Sequence, residues 1–419
     1  MKLHFLMVGF SAKKLLIQTA LQAGAKISLL ISSNKYKSEY ENLFHQVLVV
    51  DDIYNWQQIK EAIDHSEKID AVLTRHENYI NVVGAINQYL GLDGINYEVA
   101  RSFCNKYLMK QKWLEAQVPC ANGICLDNLE NLNQFLEKYS FPLILKKTSA
   151  AHSNFVVKVV SKDDLLQKLN FFKNQADGYI TSKPVEGYNA EIKECHFLLE
   201  EMLHGRELTV DTFVSKGKFF HTPICEYIMA ADLEIDDSYL PVRTMPTSLS
   251  SDQEKIVYET VEKALSALSA KNCVCHTELF FDEKNNNCMI IESTPRGGGY
   301  RTEMTLSATG YDYSLAVFKA SANLELEPIP KPNKAVSVVE YFAEEKGVIE
   351  KLDLDFLNEN QMVSNVKIRY GAGDSVEQAK FGGKTIVNFF IEAENHSKCQ
   401  ELAVQLINQI RKSVKINCS

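Results

Sequence analysis

The sequence has 419 residues, 45% of them hydrophobic and 24% charged, with a formal net charge of -9. That length points to about three domains with ample apolar material for large cores, and the acidic balance argues against a general nucleic-acid binder. No run of about 18 apolar residues is present, so no membrane partner is expected. The opening "MKLHFLMVGFSAKK" is an apolar strand-like run without a following small-residue cleavage site, which points to a cytoplasmic chain. Ten cysteines are scattered without a framework, several inside apolar runs such as "NCVCHTELFF". Reduced, buried thiols are expected from that pattern.

In chain order, "KLHFLMVGF", "SAKKLLIQTALQAGA", "KISLLIS", "HQVLVVDD", "WQQIKEAIDHS" and "IDAVLTRHENY" alternate strand and helix patterns over residues 1–100. Such alternation implies a small parallel sheet of Rossmann-like rhythm. "VGFSAKK" is not G-x-G-x-x-G, so a dinucleotide site is not favoured. The stretch "YEVARSFCNKYLMKQKWLEAQVP" turns helical and opens a connector over 101–139. Residues 140–205 read as a compact αβ unit: "FPLILKK", "NFVVKVV", a helix capped by Ser161, and "CHFLLEEML". Then "RELTVDTFVSKGKFFHTPICEY" alternates like a hairpin about "SKGK", a long helix spans about 250–270, and "VCHTELFFD" and "NNCMIIES" flank an Asn-rich turn, giving a central domain over 206–325. A linker at "ANLELEPIPKPNKA" precedes a C-terminal α+β module, 331–419. The apolar stripe "LAVQLINQI" of the last helix reads as packing, with a homodimer face as the alternative.

Several pieces together resemble the ATP-grasp superfamily: "FPLILKK", "FLLEEMLHGRELTVDTF" and "HTELFFDEKNNNCMIIESTPRGGG", in that order. The "HTE" and the three glycines after an arginine are most similar to carboxylate-amine ligases of the L-amino acid ligase and carnosine synthase type. The resemblance implies a mixed α/β and α+β chain with the ATP-grasp fold: a Rossmann-like N-terminal domain, an αβ lid, a central ATP-grasp domain and the C-terminal module. It implies ATP and Mg²⁺, with Mn²⁺ as the alternative ion, and small-molecule carboxylate and amine substrates.

Glu278 and Glu292 lie on neighbouring apolar strands. A carboxylate there costs several kcal/mol unless it is paired or holds a cation. Two facing oxygen ligands suit Mg²⁺ bridging nucleotide phosphates, and the equivalent acids of the family hold magnesium; the plainer reading is an ion pair of Glu278 with Arg296 or Arg301. Thr294 stands where the family usually has Asn. Arg296 suits a forked contact with a transferring phosphoryl oxygen. Gly297, Gly298 and Gly299 leave a backbone able to offer N–H groups to an anion. Lys146 and Lys106 match the lysines with which the family reaches the phosphates, against a plainer reading as snorkelling surface lysines. In "LLEEMLHGRE", Glu200 and the Leu203 backbone correspond to the adenine-binding hinge and Glu207 to the ribose contact, with Glu201 in the same hinge facing solvent.

The lid loop "KKTSAAHSNFVVKV" lacks the glycines expected near His152 and Phe155, leaving Ser149 and Ser153 as side-chain donors to the phosphates. Substrate contacts are expected from Arg301, the glycine backbone, Arg243 and Glu226, the last meeting the amine. "CVCH" reads as core rather than metal site, since alternation puts Cys273 and Cys275 on one face and His276 on the other. The function implied is an ATP-dependent ligase forming an amide through an acyl phosphate. Its alternatives are another ATP-grasp reaction, such as carboxylation or a nucleotide-biosynthetic ligation, or a nucleotide or metabolite binder without turnover.

Overall fold

The computed structural model describes residues 2–10, 14–127, 129–149, 155–175, 182–188, 195–237 and 239–417. The first sheet is parallel: β1 (His4–Val8), β2 (Lys26–Ser32), β3 (Gln46–Val50) and β4 (Ala71–Leu73), ordered β3-β2-β1-β4. Its strands are mostly apolar because helices cover both faces. Helix α1 (Lys14–Gln22) lies over one face, and α2 (Trp56–Asp64) and α3 (Ile80–Leu90) over the other. The chain leaves β4 through Thr74–His76 into a short 3₁₀ turn, Glu77–Tyr79. This is the carboxyl end of the parallel sheet, where ligands of such sheets bind.

The helical stretch that follows is two helices, α4 (Tyr97–Cys104) and α5 (Lys106–Glu115). Asn105 separates them in an extended conformation, and its Oδ1 accepts from the backbone N–H groups of Tyr107 and Leu108. An Asn at this position satisfies donors that the helix itself leaves unpaired. The second sheet contains β5 (Gly123–Cys125), β6 (Leu143–Lys147), β7 (Val156–Val159) and β8 (Phe197–Glu201), antiparallel in the order β5-β8-β6-β7, with α6 (Leu132–Lys138) and α7 (Lys162–Gln175) packed on it. Strand β5 lies within the stretch expected to be a helical connector. Gly123 permits this, because a Cβ there would come within 2.9 Å of the Leu199 carbonyl of β8.

The remaining strands are β9 (Arg206–Ser215), β10 (Lys218–His221), β11 (Cys225–Ile228), β12 (Val242–Met245), β13 (Cys273–Asp282), β14 (Asn287–Thr294), β15 (Ala335–Tyr341), β16 (Gly347–Leu352), β17 (Val363–Ile368), β18 (Ser375–Val376), β19 (Val387–Ala393) and β20 (Val414–Asn417). Nine of them form one sheet in the order β14-β13-β9-β11-β12-β15-β19-β17, with β10 paired to β9 as the "SKGK" turn predicts. The linker at 322–334 separates two stretches of sequence but not two sheets, since β12 pairs with β15 along its whole length. One face of the sheet carries α8 (Ser251–Ala267) over its first half and α12 (His396–Ser413) over its second; the other carries α9 (Arg301–Thr309) and α10 (Tyr313–Ser321). A short helix, α11 (Asp355–Glu359), packs against β17, and β18-β16-β20 form a small separate sheet. The apolar stripe of α12, including Ala403, Leu406, Ile407 and Ile410, is buried against its own sheet.

One expectation about cysteines is corrected. Seven described cysteines are free and buried, but Cys125 and Cys195 form a disulfide, their Cα atoms 5.8 Å apart. Antiparallel pairing of β5 with β8 brings together residues 70 positions apart, which local sequence context does not reveal. No helix among the described residues is long and apolar enough to cross a membrane.

Candidate functional site

Strands β13 and β14 pair so that Glu278 faces Glu292 directly, and a bulge falls immediately beyond that pair, where Leu279 meets Ile290. Bulges commonly re-aim side chains beside functional sites. Lys106, the first residue of α5, closes on Glu292 at 2.8 Å. Burial, together with Glu77 and Glu278, raises the Glu292 carboxyl above the ordinary carboxylate range despite Lys106. For Glu278 burial acts in the same upward direction, but the His276 side chain outweighs it and holds the carboxyl low, with Arg296 and Lys106 adding to the effect. Arg296 reaches the cluster from beyond β14, its guanidinium 2.8 Å from Glu77 in the turn that follows the N-terminal sheet. Three carboxylates and two cations thus converge from three parts of the chain.

Behind this pair lies a buried polar layer. Asp211 of β9 is fully buried; its Oδ1 lies 2.6 Å from His276 Nδ1, and its Oδ2 accepts from the Gly298 N–H at 2.9 Å and the Tyr313 hydroxyl at 2.5 Å. Burial opposes charge on His276, but the Asp211 carboxylate raises its pKa, and its Nε2 lies 3.6 Å from Glu278. The chain Asp211–His276–Glu278 therefore orients one of the two acids. Arg301, also fully buried, donates to Thr209 Oγ1 at 2.5 Å and to the Tyr227 hydroxyl at 2.8 Å. Further along the same face, Arg243 pairs with Glu340 at 2.5 Å, Tyr300 donates to Glu340 at 2.8 Å, and the Arg243 guanidinium lies over the Tyr227 and Tyr300 rings.

At the β6–β8 end, the buried Glu200 carboxylate sits between Lys146 at 2.5 Å and Lys110 at 2.8 Å. Lys110 also donates to the Ala121 carbonyl. The chain leaves β8 after Glu201 and enters β9 at Arg206, so residues 202–204 run between the two sheets with Leu203 half-buried. Glu207 opens onto the same face as Glu278, and its carboxyl is pushed up to about 8 by burial and then by Glu278 and Asp232, against Lys146. A cleft lined by lysines at one end and paired acids at the other can take a polyphosphate and a divalent cation.

Residues 139–303 match the family model for the ATP-grasp domain. This chain carries an ATP-grasp domain. It is 21% identical over 388 residues to the L-arginine-specific L-amino acid ligase of Bacillus subtilis, covering 89% of this chain and 88% of that protein. The ATP-grasp fold extends over the whole molecule. The crystal structure of L-amino acid ligase from Bacillus licheniformis superposes with a TM-score of 0.78 at 16% identity, covering 100% of this chain and 99% of that one. Phosphoribosylglycinamide synthetase from Anaerococcus prevotii superposes at 0.70 and 18% identity over 100% of both chains.

Within this ATP-grasp frame the structure gathers Lys106, Glu278, Glu292 and Arg296 into one cluster, with Thr294 next to it on the same face of β14, opposite His276. Lys146, Glu200 and Glu207 line the other end. Several expectations are corrected. Glu226 belongs to the opposite face of the sheet, because alternation on β11 sends Cys225 and Tyr227 to the site side; its carboxylate is taken up by Arg206, Thr247 and His396. Arg301 is a buried strut rather than an open substrate contact. Of the glycines, Gly298 spends its N–H on Asp211, and a Cβ there would lie 2.5 Å from His276 Nδ1; Gly297 is crowded by the Tyr313 hydroxyl, while Gly299 faces open space. Close packing, more than anion contact, explains the first two. Glu201 is half-exposed, and its carboxylate also accepts from both the backbone and side-chain amides of Asn122 at 2.7 Å.

In the loop expected to be the lid, Ser149 is half-buried, while His152 and Ser153 lie outside the described residues. Phe155 adopts the left-handed conformation, φ 56°, that a glycine would supply freely. For a non-glycine residue this costs about 1–2 kcal/mol. Packing offsets it: the ring meets Phe172 edge-on at 4.9 Å, and the Lys147 ammonium lies over it at 5.6 Å.

Sequence reasoning missed Asp211, Glu77 and Lys110. A lone acid inside the apolar "ELTVDTFV" was the signal for the first, the carboxyl end of a parallel strand for the second, and the i+4 relation to Lys106 for the third. Lys146→Ala is expected to weaken ATP binding about ten- to a hundredfold, as for a lost charge-assisted hydrogen bond, while Lys110 keeps Glu200 paired. Titration calorimetry with ATP checks this; an unchanged affinity would remove Lys146 from the nucleotide site.

Proposed function

We propose that this chain is an ATP-dependent ligase that joins a carboxylate, supplied by an amino acid, to an amine, giving ADP and phosphate. The carrying observation is the Glu278–Glu292 pair set between Lys106 and the Glu77-held Arg296. The similarity to an L-arginine-specific L-amino acid ligase over 89% of the chain supports the choice of reaction within the fold. The donor set fits Mg²⁺ or Mn²⁺, because Glu292 is a half-buried acid whose charge is incompletely offset and hard carboxylate oxygens are what these ions take. Glu278 and Glu292 would hold the ion, with Thr294 beside them. It would supply neutralisation of phosphate charge.

The chain's own residues account for the remaining chemistry. Lys146 and Lys106 bind the polyphosphate from the two ends of the cleft. Glu207 takes the ribose hydroxyls, and the 202–204 backbone meets the adenine edge. The substrate carboxylate attacks the γ-phosphate, and Arg296, fixed in orientation by Glu77, stabilises the charge that spreads over the phosphoryl oxygens. The amine then attacks the acyl carbon of the acyl phosphate and expels inorganic phosphate, and the amine's extra proton leaves to solvent or to the phosphate. With Glu226 on the other face, the Arg243–Glu340 pair on the site face would meet the polar ends of a substrate. The αβ unit of residues 140–205 acts as the lid.

Turnover is expected to release ADP and phosphate in equal amounts with peptide when pairs of amino acids are supplied. Quantifying nucleotide products by chromatography tests this, and AMP with pyrophosphate as the stoichiometric products would overturn the mechanism.

A further inference from the structure

The Cys125–Cys195 disulfide has no place in the chemistry above, yet its surroundings lead into it. Cys195 lies two residues before β8 and is buried, whereas Cys125 at the end of β5 is half-exposed. Asp127 closes the same corner, accepting from the backbone N–H and the imidazole of His196 at 2.9 and 2.8 Å. The Cys195 carbonyl accepts from the Thr148 hydroxyl and from Asn105 Nδ2, and the His196 carbonyl accepts from the Thr148 N–H at 2.9 Å. The Thr148 carbonyl in turn accepts from the Lys106 N–H at 2.9 Å. Thr148 directly follows the strand that carries Lys146, and Asn105 caps the helix that begins with Lys106. Both phosphate-directed lysines therefore hang on backbone whose position is fixed through residue 195.

We infer that Cys125 and Cys195 form a reversible thiol oxidation site whose disulfide tightens nucleotide binding. It rests on the nucleotide site proposed above and adds a control to it. Seven other described cysteines stay free and buried, so this bond is not part of a disulfide framework. The oxidant is a small-molecule disulfide. The more exposed Cys125 thiolate attacks one of its sulfurs and expels one thiol; the Cys195 thiolate then attacks the Cys125 sulfur of the mixed disulfide and expels the second. Two protein thiols give up two electrons, and their protons end on the two released small thiols. Oxidation pins residues 195–196 to β5, holding in place the carbonyls that accept from Thr148 and Asn105. Reduction frees that segment and loosens the placement of Lys146 and Lys106.

The test equilibrates the whole protein with either dithiothreitol or oxidised glutathione, maps thiols by mass spectrometry, and measures ATP affinity in each state. A linked peptide pair containing Cys125 and Cys195 is expected after oxidation, with ATP bound about fivefold or more tightly than by the reduced protein. Cys125→Ser should give the reduced affinity under both conditions. By reciprocity, saturating ATP should make the disulfide harder to reduce by the same factor. Failure of the pair to link, or equal ATP affinity of the two forms, would overturn this inference and leave the ligase reading standing. No ATP binding by either form would overturn both. The Asp127 carboxylate and the two sulfurs lie within 4.8 Å of one another; a stoichiometric zinc ion in the purified protein, lost in Cys195→Ser, would make the corner a metal site and also overturn the redox reading.

Discussion

Glu292→Gln is expected to reduce turnover by at least two to three orders of magnitude while the protein remains folded and no less stable. The substitution keeps shape and one carbonyl oxygen but removes a charge that stands opposite Glu278 across the β13–β14 ladder. Without that charge the Glu278–Glu292 pair offers one carboxylate where a divalent cation and a polyphosphate call for two. Stability should move the other way. Burial and the neighbouring Glu77 and Glu278 already disfavour ionised Glu292, so a neutral side chain relieves repulsion even as Lys106 loses its partner. Steady-state rates and thermal melting on the same preparation check both halves. Near-normal turnover by folded protein would return Glu292 to a structural role.

Asp211→Asn should have the opposite signature, a large loss of stability. Asp211 is fully buried and accepts from three donors, His276, the Gly298 amide and the Tyr313 hydroxyl. An amide brings its own N–H₂ into that shell, so one donor must face another, and the imidazolium loses its counter-charge. Breaking one side of a buried pair typically costs about 3–5 kcal/mol. The pH dependence follows from His276, whose pKa is raised above the ordinary value of 6.5 by Asp211 in spite of burial. A raised folded-state pKa contributes stability that is complete below the unfolded value and is lost as pH rises through the folded one. The gap between parent and variant should therefore narrow at alkaline pH. Denaturant unfolding across the pH range tests this, and equal midpoints at neutral pH would show that the buried layer is not held by Asp211.

The separate legibility of elements and of their mutual placement explains what the sequence disclosed. Strands β2, β9 and β13 were readable because runs of alternating or continuous apolar residues carry their period locally. The acid pair was readable because two carboxylates in apolar strands have few other uses. Alternation puts Glu226 and Tyr227 on opposite faces of β11, but nothing local says which face meets the cleft, and Glu226 was expected there. The "PRGGGY" run suggested open backbone donors, whereas Asp211, 87 residues earlier, takes one of them. Glu77 and Arg296 are 219 positions apart, and Cys125 and Cys195 70. Such pairings are set by how sheets meet, a property of the assembled chain that no window of sequence contains.

The continuity of the nine-stranded sheet bears on where this protein can be cut. The matched family segment ends at residue 303, within α9, yet the sheet it contributes to continues through β15 to β19 and β17. A fragment stopping at the linker would leave Val242–Met245 with a row of bare amides and carbonyls, and the half-buried Arg243 without Glu340. Bare strand margins recruit other chains. The C-terminal strands thus act as a built-in seal against self-association, and the inheritable unit here is larger than the segment by which its kinship is detected.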